Sequence, residues 1–437
     1  MIRIVLAAVL AFVASLPARA EVDIQVVTSP GGITAWLVEE RSIPFVSLEI
    51  RSRGGTSLDA PDKRGATYLM MGLLEEGAGD YDARAFTEAR ESLAAGFGFD
   101  AYADAVSISA RFLSENKDAS LELLRLMLHE PRFDQEALDR VQGQVLATVR
   151  SELQDPDTIA IRRFYNEAFG THPYAFPRTG TEETVSALTR EDMVAALQGA
   201  FAKDRIVVSA VGDIGPGELA EVLDMLFSDL PDTGAPLAGP APYLLDGGTT
   251  VVEFDTPQSV AVFGHEGFDR DDPDFFAAVV LNEILGGSGF DSRLYTEVRE
   301  KRGLTYGVST YLAPREFGAL FLGQVASAND RVAEAINVIK DQWSAMAMEG
   351  VTEEELEATK LYLTGAYPLR FDGNSRIAKI LAGMQLSNLE PDYVNTRNDK
   401  VTAVTLEDVK RVAARLFQPE ELHFVVVGEP AGLDPSN

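Results

Sequence analysis

Residues 63–81 show a helical pattern in which the metal-ligating side chains of a zinc-binding helix are missing. The sequence there is KRGATYLMMGLLEEGAGDY. A helix with the spacing H-x-x-E-H presents two histidines to a zinc ion and a glutamate as general base. In this chain Tyr68, Met71 and Gly72 occupy those three positions. Because a phenol, a thioether and a hydrogen cannot hold zinc and activate its water, the pattern predicts a packing helix without a metal.

The other residues that could ligate a metal are scattered along the chain. Glu75 and Glu76 are adjacent, so they diverge on a helix and cannot chelate one ion. The chain has no cysteine, which excludes thiolate sites and disulfides. The four histidines show no ligand spacing among themselves: His129, His172, His265 and His423. From its residues alone the chain is predicted to bind no metal.

A second stretch, residues 285–308, carries groups that could contact a substrate. It reads LGGSGFDSRLYTEVREKRGLTYGV. The pattern predicts a charged helix from Ser292 that ends at Gly303, followed by a strand over residues 305–312. Arg299 lies late on that helix and Tyr306 just inside the strand, so a reversal could bring a guanidinium and a phenol together. Such donors suit a peptide carbonyl or an oxyanion. The alternative is a solvated helix face followed by a core tyrosine.

The elements that must position these groups are written twice in the chain. LTREDMVAALQGAFAKDRIVVSAVGD, from residue 188, aligns without a gap with VTLEDVKRVAARLFQPEELHFVVVGE, from residue 404. Each copy predicts a helix with a threonine N-cap, Thr189 or Thr405, and then a β-branched strand that ends at glycine. A weaker match continues upstream at an offset near 218 residues. Self-similarity over so long a period indicates a duplicated domain.

Between the copies lies a stretch rich in proline and glycine, LPDTGAPLAGPAPYLLDGG, which is typical of a linker. Strand and helix patterns cluster within each copy rather than alternating strictly, which favours an α+β fold. We expect two homologous α/β-sandwich halves, each a mixed or antiparallel sheet with helices packed on it. The predicted boundaries are a signal peptide at 1–20, an N-terminal domain at 21–230, a linker at 231–248 and a C-terminal domain at 249–437.

The composition of the chain limits the classes of partner that it can bind. The formal net charge is −30, from 38 Lys+Arg against 68 Asp+Glu, which argues against nucleic acid or an anionic membrane surface. The N-terminus combines Arg3, an apolar run over residues 4–16 and a final Ala18-Arg19-Ala20. These features predict a secretory signal peptide cleaved after Ala20, and hence an exported compartment, a bacterial periplasm. No later apolar stretch is long enough for a membrane anchor.

The mature chain resembles the pitrilysin (insulinase-like, inverted-zincin) family of zinc peptidases over essentially its whole length. The motifs that carry the resemblance are GGITAWLVEE from Gly31, RGGTS from Arg53, HPY from His172 and GTEE from Gly180. The most specific is SRLYTEVREKRGLTYGV from Ser292. The resemblance implies paired α+β halves that join a second chain to enclose a peptide chamber.

The resemblance also assigns roles to particular residues. The family's Arg/Tyr pair, which binds substrate backbone and steadies the tetrahedral intermediate, falls on Arg299 and Tyr306. The inverted zinc motif falls on the three substituted positions described above, and the third-ligand segment falls on Thr148, where a carboxylate is expected. Metal binding therefore does not carry over. The glycine-rich loop of the non-catalytic mitochondrial processing subunit has a short counterpart, a candidate substrate contact, at Gly286, Gly287 and Gly289.

The sequence thus predicts a non-metal-binding subunit of a periplasmic heterodimeric zinc endopeptidase, inactive alone and active only within a complex. A homologous partner would bring the zinc, while this chain would bring no cofactor. It would shape the chamber and contribute carbonyl and oxyanion contacts to peptide substrates. The alternative is a non-enzymatic peptide-binding or assembly protein that forms a homodimer. An active peptidase with a displaced metal site is disfavoured because no histidine pair at i, i+4 is present.

Overall fold

The computed structural model describes residues 22–287, 289 and 291–433. The predicted signal peptide at residues 1–20 lies outside this part of the chain. The described residues form two β-sheets of mixed strand orientation with helices packed on them, which confirms the predicted α+β class.

Residues of the first half form eight strands: β1 (Gln25–Thr28), β2 (Thr34–Glu39), β3 (Phe45–Arg53), β4 (Gly77–Ala78), β5 (Tyr81–Asp82), β6 (Gly96–Ala101), β7 (Ala105–Leu113) and β8 (Ile206–Gly212). Its helices are α1 (Ala66–Leu73), α2 (Ala83–Ser92), α3 (Lys117–His129), α4 (Gln135–Glu152), α5 (Pro156–Phe169), α6 (Glu182–Ser186), α7 (Arg190–Ala200) and α8 (Pro216–Phe227).

Residues of the second half form five strands: β9 (Gly248–Glu253), β10 (Gln258–Glu266), β11 (Val308–Pro314), β12 (Ala319–Ala328) and β13 (His423–Gly428). Its helices are α9 (Phe275–Gly286), α10 (Val332–Glu349), α11 (Glu353–Ala366), α12 (Asn374–Leu386), α13 (Tyr393–Thr402) and α14 (Leu406–Leu416), with a π-helical turn at Tyr295–Glu300. No helix among the described residues is both long and apolar enough to cross a membrane.

The two large sheets share one topology. Their strand orders are β1-β2-β8-β3-β7-β6 and β11-β12-β10-β13-β9. If β1 is set aside and the second sheet is taken from β9, both begin with a parallel pair, β2 with β8 and β9 with β13. Antiparallel pairs follow in both. The duplication found in the sequence is therefore a duplication of the sheet.

The repeated helix caps are present as predicted. The side chain of Thr189 accepts from the backbone N–H of Asp192 at the start of α7, and Thr405 accepts from that of Asp408 at the start of α14. Both aspartates accept in return from the threonine backbone N–H, at 2.8 and 3.0 Å. These reciprocal capping boxes satisfy donors that a helix N-terminus leaves unpaired.

Two predicted elements differ in detail from the structure, and one hairpin was not predicted. The strand predicted over residues 305–312 begins only at Val308. The helix predicted from Ser292 is present, but Tyr295–Glu300 form a π-helical turn instead of a regular α-helix. The hairpin of β6 and β7 was missed, because Gly96 and Gly98 indicate a turn when read locally although both pair with β7. Neighbouring strands outweigh the weak strand propensity of glycine here.

Two helices are exchanged between the halves. Helix α5 belongs to the first half, yet it packs against β10 and β13 of the second sheet. Its fully buried Phe164 shares a core cluster with Val262, Leu322 and Val425. Helix α12 belongs to the second half and packs against β3 and β8 of the first sheet. An offset of 218 residues carries the start of α5 onto the start of α12, so the exchange is itself part of the duplication.

Hydrogen bonds fix the second exchanged helix. Ser209 of β8 donates its hydroxyl to the carbonyl of Ala378 at 2.6 Å, and Gln385 donates its side-chain N–H to the carbonyl of Val208 at 2.9 Å. These bonds satisfy polar groups that the packing of α12 on the sheet removes from water. Each sheet is therefore covered on one face by its own helices and on the other by a helix from the opposite half.

We expect stability to fall in mild acid because of His265. The ring is buried, its Nε2 accepts from Trp343 Nε1–H at 3.1 Å, and its Nδ1 lies 2.6 Å from the carbonyl of Glu266. Burial lowers the pKa of His265 to about 4. Since an unfolded histidine titrates near 6.5, its contribution is full above pH 6.5 and is lost as pH falls towards 4, to the extent of about 3 kcal/mol.

The check is urea unfolding of the wild type and of His265→Gln at several pH values between 7.5 and 4.5. The wild type should lose more free energy of unfolding across this range than the variant does. Equal losses in the two proteins would show that His265 does not carry this pH dependence.

Candidate functional site

The substituted zinc positions lie on α1, which packs against α4 and α7. Gly65, with φ of +91°, precedes the helix, and Asp59 accepts there from the backbone N–H groups of Gly65 and Thr67 at 2.9 and 3.0 Å. Burial raises the pKa of Asp59 to about 6. These hydrogen bonds hold the first turn of the helix in place, a role of Asp59 that was not predicted from the sequence.

The two side chains present at the zinc-motif positions, those of Tyr68 and Met71, pack against the first core. Met71 is buried in the first core, and Tyr68 is half-buried against it. The guanidinium carbon of Arg178 lies 5.7 Å from the centre of the Tyr68 ring. Gly72 is exposed, and a side chain there would meet Val141 of α4 at 3.4 Å. The helix faces the neighbour expected for the third ligand, but with groups that pack rather than coordinate.

The third-ligand position has no carboxylate either. Thr148 is exposed on α4, and its hydroxyl donates to the carbonyl of Gln144 at 3.1 Å. Glu75 and Glu76 lie beyond the end of α1 and not on a helix as predicted, but they do point to different partners, Arg90 and Arg140. Among the described residues, no group of three His, Cys, Asp or Glu side chains is placed to hold a metal ion.

The four histidines lie in separate places, and each has a local partner. As His265 Nδ1 does, ring nitrogens of the other three lie close to main-chain carbonyls: His129 Nε2 to Leu226 at 2.8 Å, His172 Nε2 to Gly239 at 3.1 Å and His423 Nδ1 to Gly247 at 2.7 Å. The fourth, His265, contacts Trp343 as described above. The structure therefore gives each histidine a role in packing or hydrogen bonding.

Arg299 lies in the π-helical turn and has no carboxylate partner among the described residues. Its guanidinium carbon lies 4.8 Å from the ring centre of Tyr295, one turn earlier. The neighbouring cations are committed, because Lys301 and Arg302 pair with Glu297 at 2.6 and 2.7 Å. The ring supports the guanidinium from one side without neutralising it. Tyr295 was missed as a support, although its i, i+4 spacing from Arg299 could have revealed it.

The turn between this segment and β11 is fixed by side chains from elsewhere in the second half. Gly303 has φ of +59°, which favours glycine, and Leu304 is buried. Arg331 donates to the carbonyl of Gly303 at 3.2 Å, and Ser327 donates to that of Leu304 at 2.6 Å. A turn held by several hydrogen bonds holds its backbone in one conformation.

The same turn presents Tyr306 to solvent. Thr305 Oγ1 lies 2.6 Å from the carbonyl of Ala326 and 3.0 Å from the backbone N–H of Gly307. Tyr306, which lies between Thr305 and Gly307, is 84% exposed, and within the described residues its hydroxyl makes no hydrogen bond. Tyr306 thus precedes β11 instead of starting it, and it is not a core tyrosine. Its phenol and the Arg299 guanidinium flank one fixed turn, each with uncommitted donors.

The candidate glycines have packing reasons of their own. A side chain at Gly286 would meet Thr310 Oγ1 at 2.6 Å, and one at Gly287 would collide with the carboxylate of Glu283. Gly289 has more room, with its nearest neighbours at 3.9 Å. Gly286 is therefore required by the close approach of α9 to β11, and Gly287 by the packing of Glu283 at the end of α9. The role of the three glycines as substrate contacts stays a prediction.

The fold and this site together define a duplicated α+β protein of the zinc-peptidase type, with no group of zinc ligands among the described residues. Residues 187–363 match the family described as "Peptidase M16 inactive domain". Over 394 residues the chain is 25% identical to the "Non-peptidase homolog YmxG" of Helicobacter pylori, covering 89% of this chain and 90% of that protein. It is 22% identical to the "Uncharacterized zinc protease YmxG" of Bacillus subtilis, covering 94% and 99%.

Solved structures agree with the sequence relatives. The crystal structure of a peptidase M16 inactive domain from Pseudomonas fluorescens superposes with a TM-score of 0.87 at 28% identity, covering 95% of this chain and 100% of that one. A protease from Helicobacter pylori has the same fold, with a TM-score of 0.83 at 18% identity over 93% and 100%. These findings confirm the predicted resemblance to this zinc-peptidase family and support a non-catalytic homologue of its peptidases.

Proposed function

We propose that this chain is the non-metal-binding subunit of a two-chain zinc endopeptidase in the bacterial periplasm. The observation that carries the proposal is the combination of a substituted zinc motif with an exposed Tyr306 and an Arg299 that has no carboxylate partner among the described residues. A tyrosine that only stabilised the fold would bury its ring. Tyr306 is instead 84% exposed, on a turn held by three other residues. The predicted leader at residues 1–20 supports the compartment.

In this arrangement the homologous partner would hold the zinc and would supply the activated water and the general base. Arg299 and Tyr306 donate hydrogen bonds to the carbonyl oxygen of the peptide bond that is attacked. Both bonds strengthen as negative charge develops on that oxygen, so they stabilise the transition state more than the bound substrate. The Tyr295 ring and the turn at residues 303–307 hold the two donors in place before the substrate arrives.

The proposal is tested by affinity purification of the mature tagged chain from native periplasmic extract, with mass spectrometry of the eluate. We expect a stoichiometric partner of similar size that carries an H-x-x-E-H motif and zinc, and a complex that cleaves peptides. Recovery of this chain alone as a homodimer that binds peptides without cleaving them would overturn the proposal. It would favour a peptide-binding or assembly protein instead.

A further inference from the structure

The second half contains a cavity of about 540 Å³ lined by cations and aromatic rings, and nothing above explains it. Its walls come from α9, from the end of β11, from the segment after α11 and from α12 and α13. Its volume is within the range of about 300–1,000 Å³ that is typical of small-ligand sites. We call it the arginine pocket, after the three arginines that line it together with one lysine: Arg270, Arg370, Arg397 and Lys379.

None of these four cations forms an ion pair with another described residue. Arg270 donates to the hydroxyl of Tyr393 at 2.6 Å, and Arg397 donates to the carbonyl of Leu363 at 2.9 Å. Both are neutral acceptors. The side chains of Arg370 and Lys379 are exposed at the rim. In a chain with 68 acidic and 38 basic residues, four lining cations without a carboxylate partner are unexpected.

The cations are close enough to affect one another. Burial lowers the pKa of Arg397, and the charges of Arg370 and Arg270 lower it further. One carboxylate, that of Glu283 on α9, also lines the cavity. The pocket therefore keeps an excess of positive charge, which a bound anion would compensate.

The aromatic residues in the remaining walls indicate what kind of ligand would bear the anionic group. Tyr367 lies beneath Arg397, with 4.7 Å between the guanidinium carbon and the ring centre, and Phe276 and Phe371 also line the cavity. Guanidinium groups match the planar geometry of carboxylates, while aromatic rings contact apolar groups beside them. We propose that the arginine pocket binds a carboxylate of a peptide, either an aspartate or glutamate side chain or the peptide C-terminus.

This pocket is separate from Arg299 and Tyr306, and its ligand can be measured on this chain alone. The probes are fluorescein-labelled peptides of one sequence: a glutamate peptide with an amidated C-terminus, its glutamine counterpart with a free C-terminus, and a glutamine peptide with an amidated C-terminus. Fluorescence anisotropy would give the three dissociation constants. If the first peptide binds more tightly than the third, the carboxylate is that of the glutamate side chain. If the second binds more tightly than the third, it is that of the C-terminus.

The variants are Arg370→Gln and Lys379→Gln, both at exposed positions where the change leaves the core intact. The control is Arg376→Gln, which removes the same charge from an exposed position on α12 outside the pocket. We expect each pocket variant to weaken the preferred carboxylate peptide about tenfold and the control to leave it unchanged.

Equal affinity for all three peptides, or binding unaffected by both pocket variants, would overturn the inference. So would binding of tripolyphosphate at the pocket without any binding of the peptides, since the ligand would then be a phosphate anion. Failure of the two-chain peptidase proposal would leave these binding results untouched, because no partner enters the measurement.

Discussion

Replacing Arg299 by alanine should lower turnover by the two-chain complex about 10²–10³-fold while this chain still folds and assembles. That is the usual effect of losing one oxyanion donor. Folding should be spared because the guanidinium contacts only the Tyr295 ring and no carboxylate among the described residues. The measurement is the steady-state rate of cleavage of a quenched fluorescent peptide by the complex, with kcat and KM determined separately.

Tyr306→Phe should act in the same direction by removing one hydroxyl and nothing else. A donor used in the transition state lowers kcat, whereas a residue that only shapes the chamber would mainly raise KM. The matched controls are Tyr81→Phe, another exposed tyrosine, and Lys301→Ala, an exposed cation two residues from Arg299. If both test variants turn over like the wild type, neither residue takes part in the reaction and the catalytic-contact proposal fails.

Phe164→Ala should cost about 3–5 kcal/mol in the free energy of unfolding, the range for removing a fully buried phenylalanine. The expected consequence is unusual, because Phe164 lies in the first half of the chain and packs on the sheet of the second. If the exchanged helices couple the halves, this single change lowers the stability of both. The control, Leu153→Ala, removes a side chain that is 54% exposed at the end of α4 and should cost little.

The two tryptophans allow the coupling to be measured half by half. Trp36 lies in β2 of the first half, and Trp343 lies in α10 of the second, where it is fully buried. Single-tryptophan variants, Trp343→Phe and Trp36→Phe, would report urea unfolding of the first and second halves. Coincident transitions that shift together in Phe164→Ala support the coupling. Separate midpoints, with only the second half affected, would show that the halves unfold independently.

Several features of the site could be predicted from local sequence. The loss of zinc ligands follows from the residue types at positions 68, 71 and 72, which no fold can convert into ligands. The paired caps at Thr189 and Thr405 depend on contacts within four residues, so their repeated spacing was sufficient. The setting of Tyr306 could not be predicted in this way. The position of Tyr306 depends on the hydrogen bond of the neighbouring Thr305 to Ala326, which lies on β12.

The sequence by itself determined the duplication, the α+β class and the absence of metal-ligating side chains at the expected positions. These depend on residue identity and on spacing along the chain. Only the tertiary structure decided that α5 and α12 each cover the other half's sheet, and that Arg270, Arg370 and Arg397 line one cavity. An amphipathic pattern shows which face of an element is buried but not which element covers it. Contacts between residues that are hundreds of positions apart produce no regular spacing in the sequence, so they could not be predicted from it.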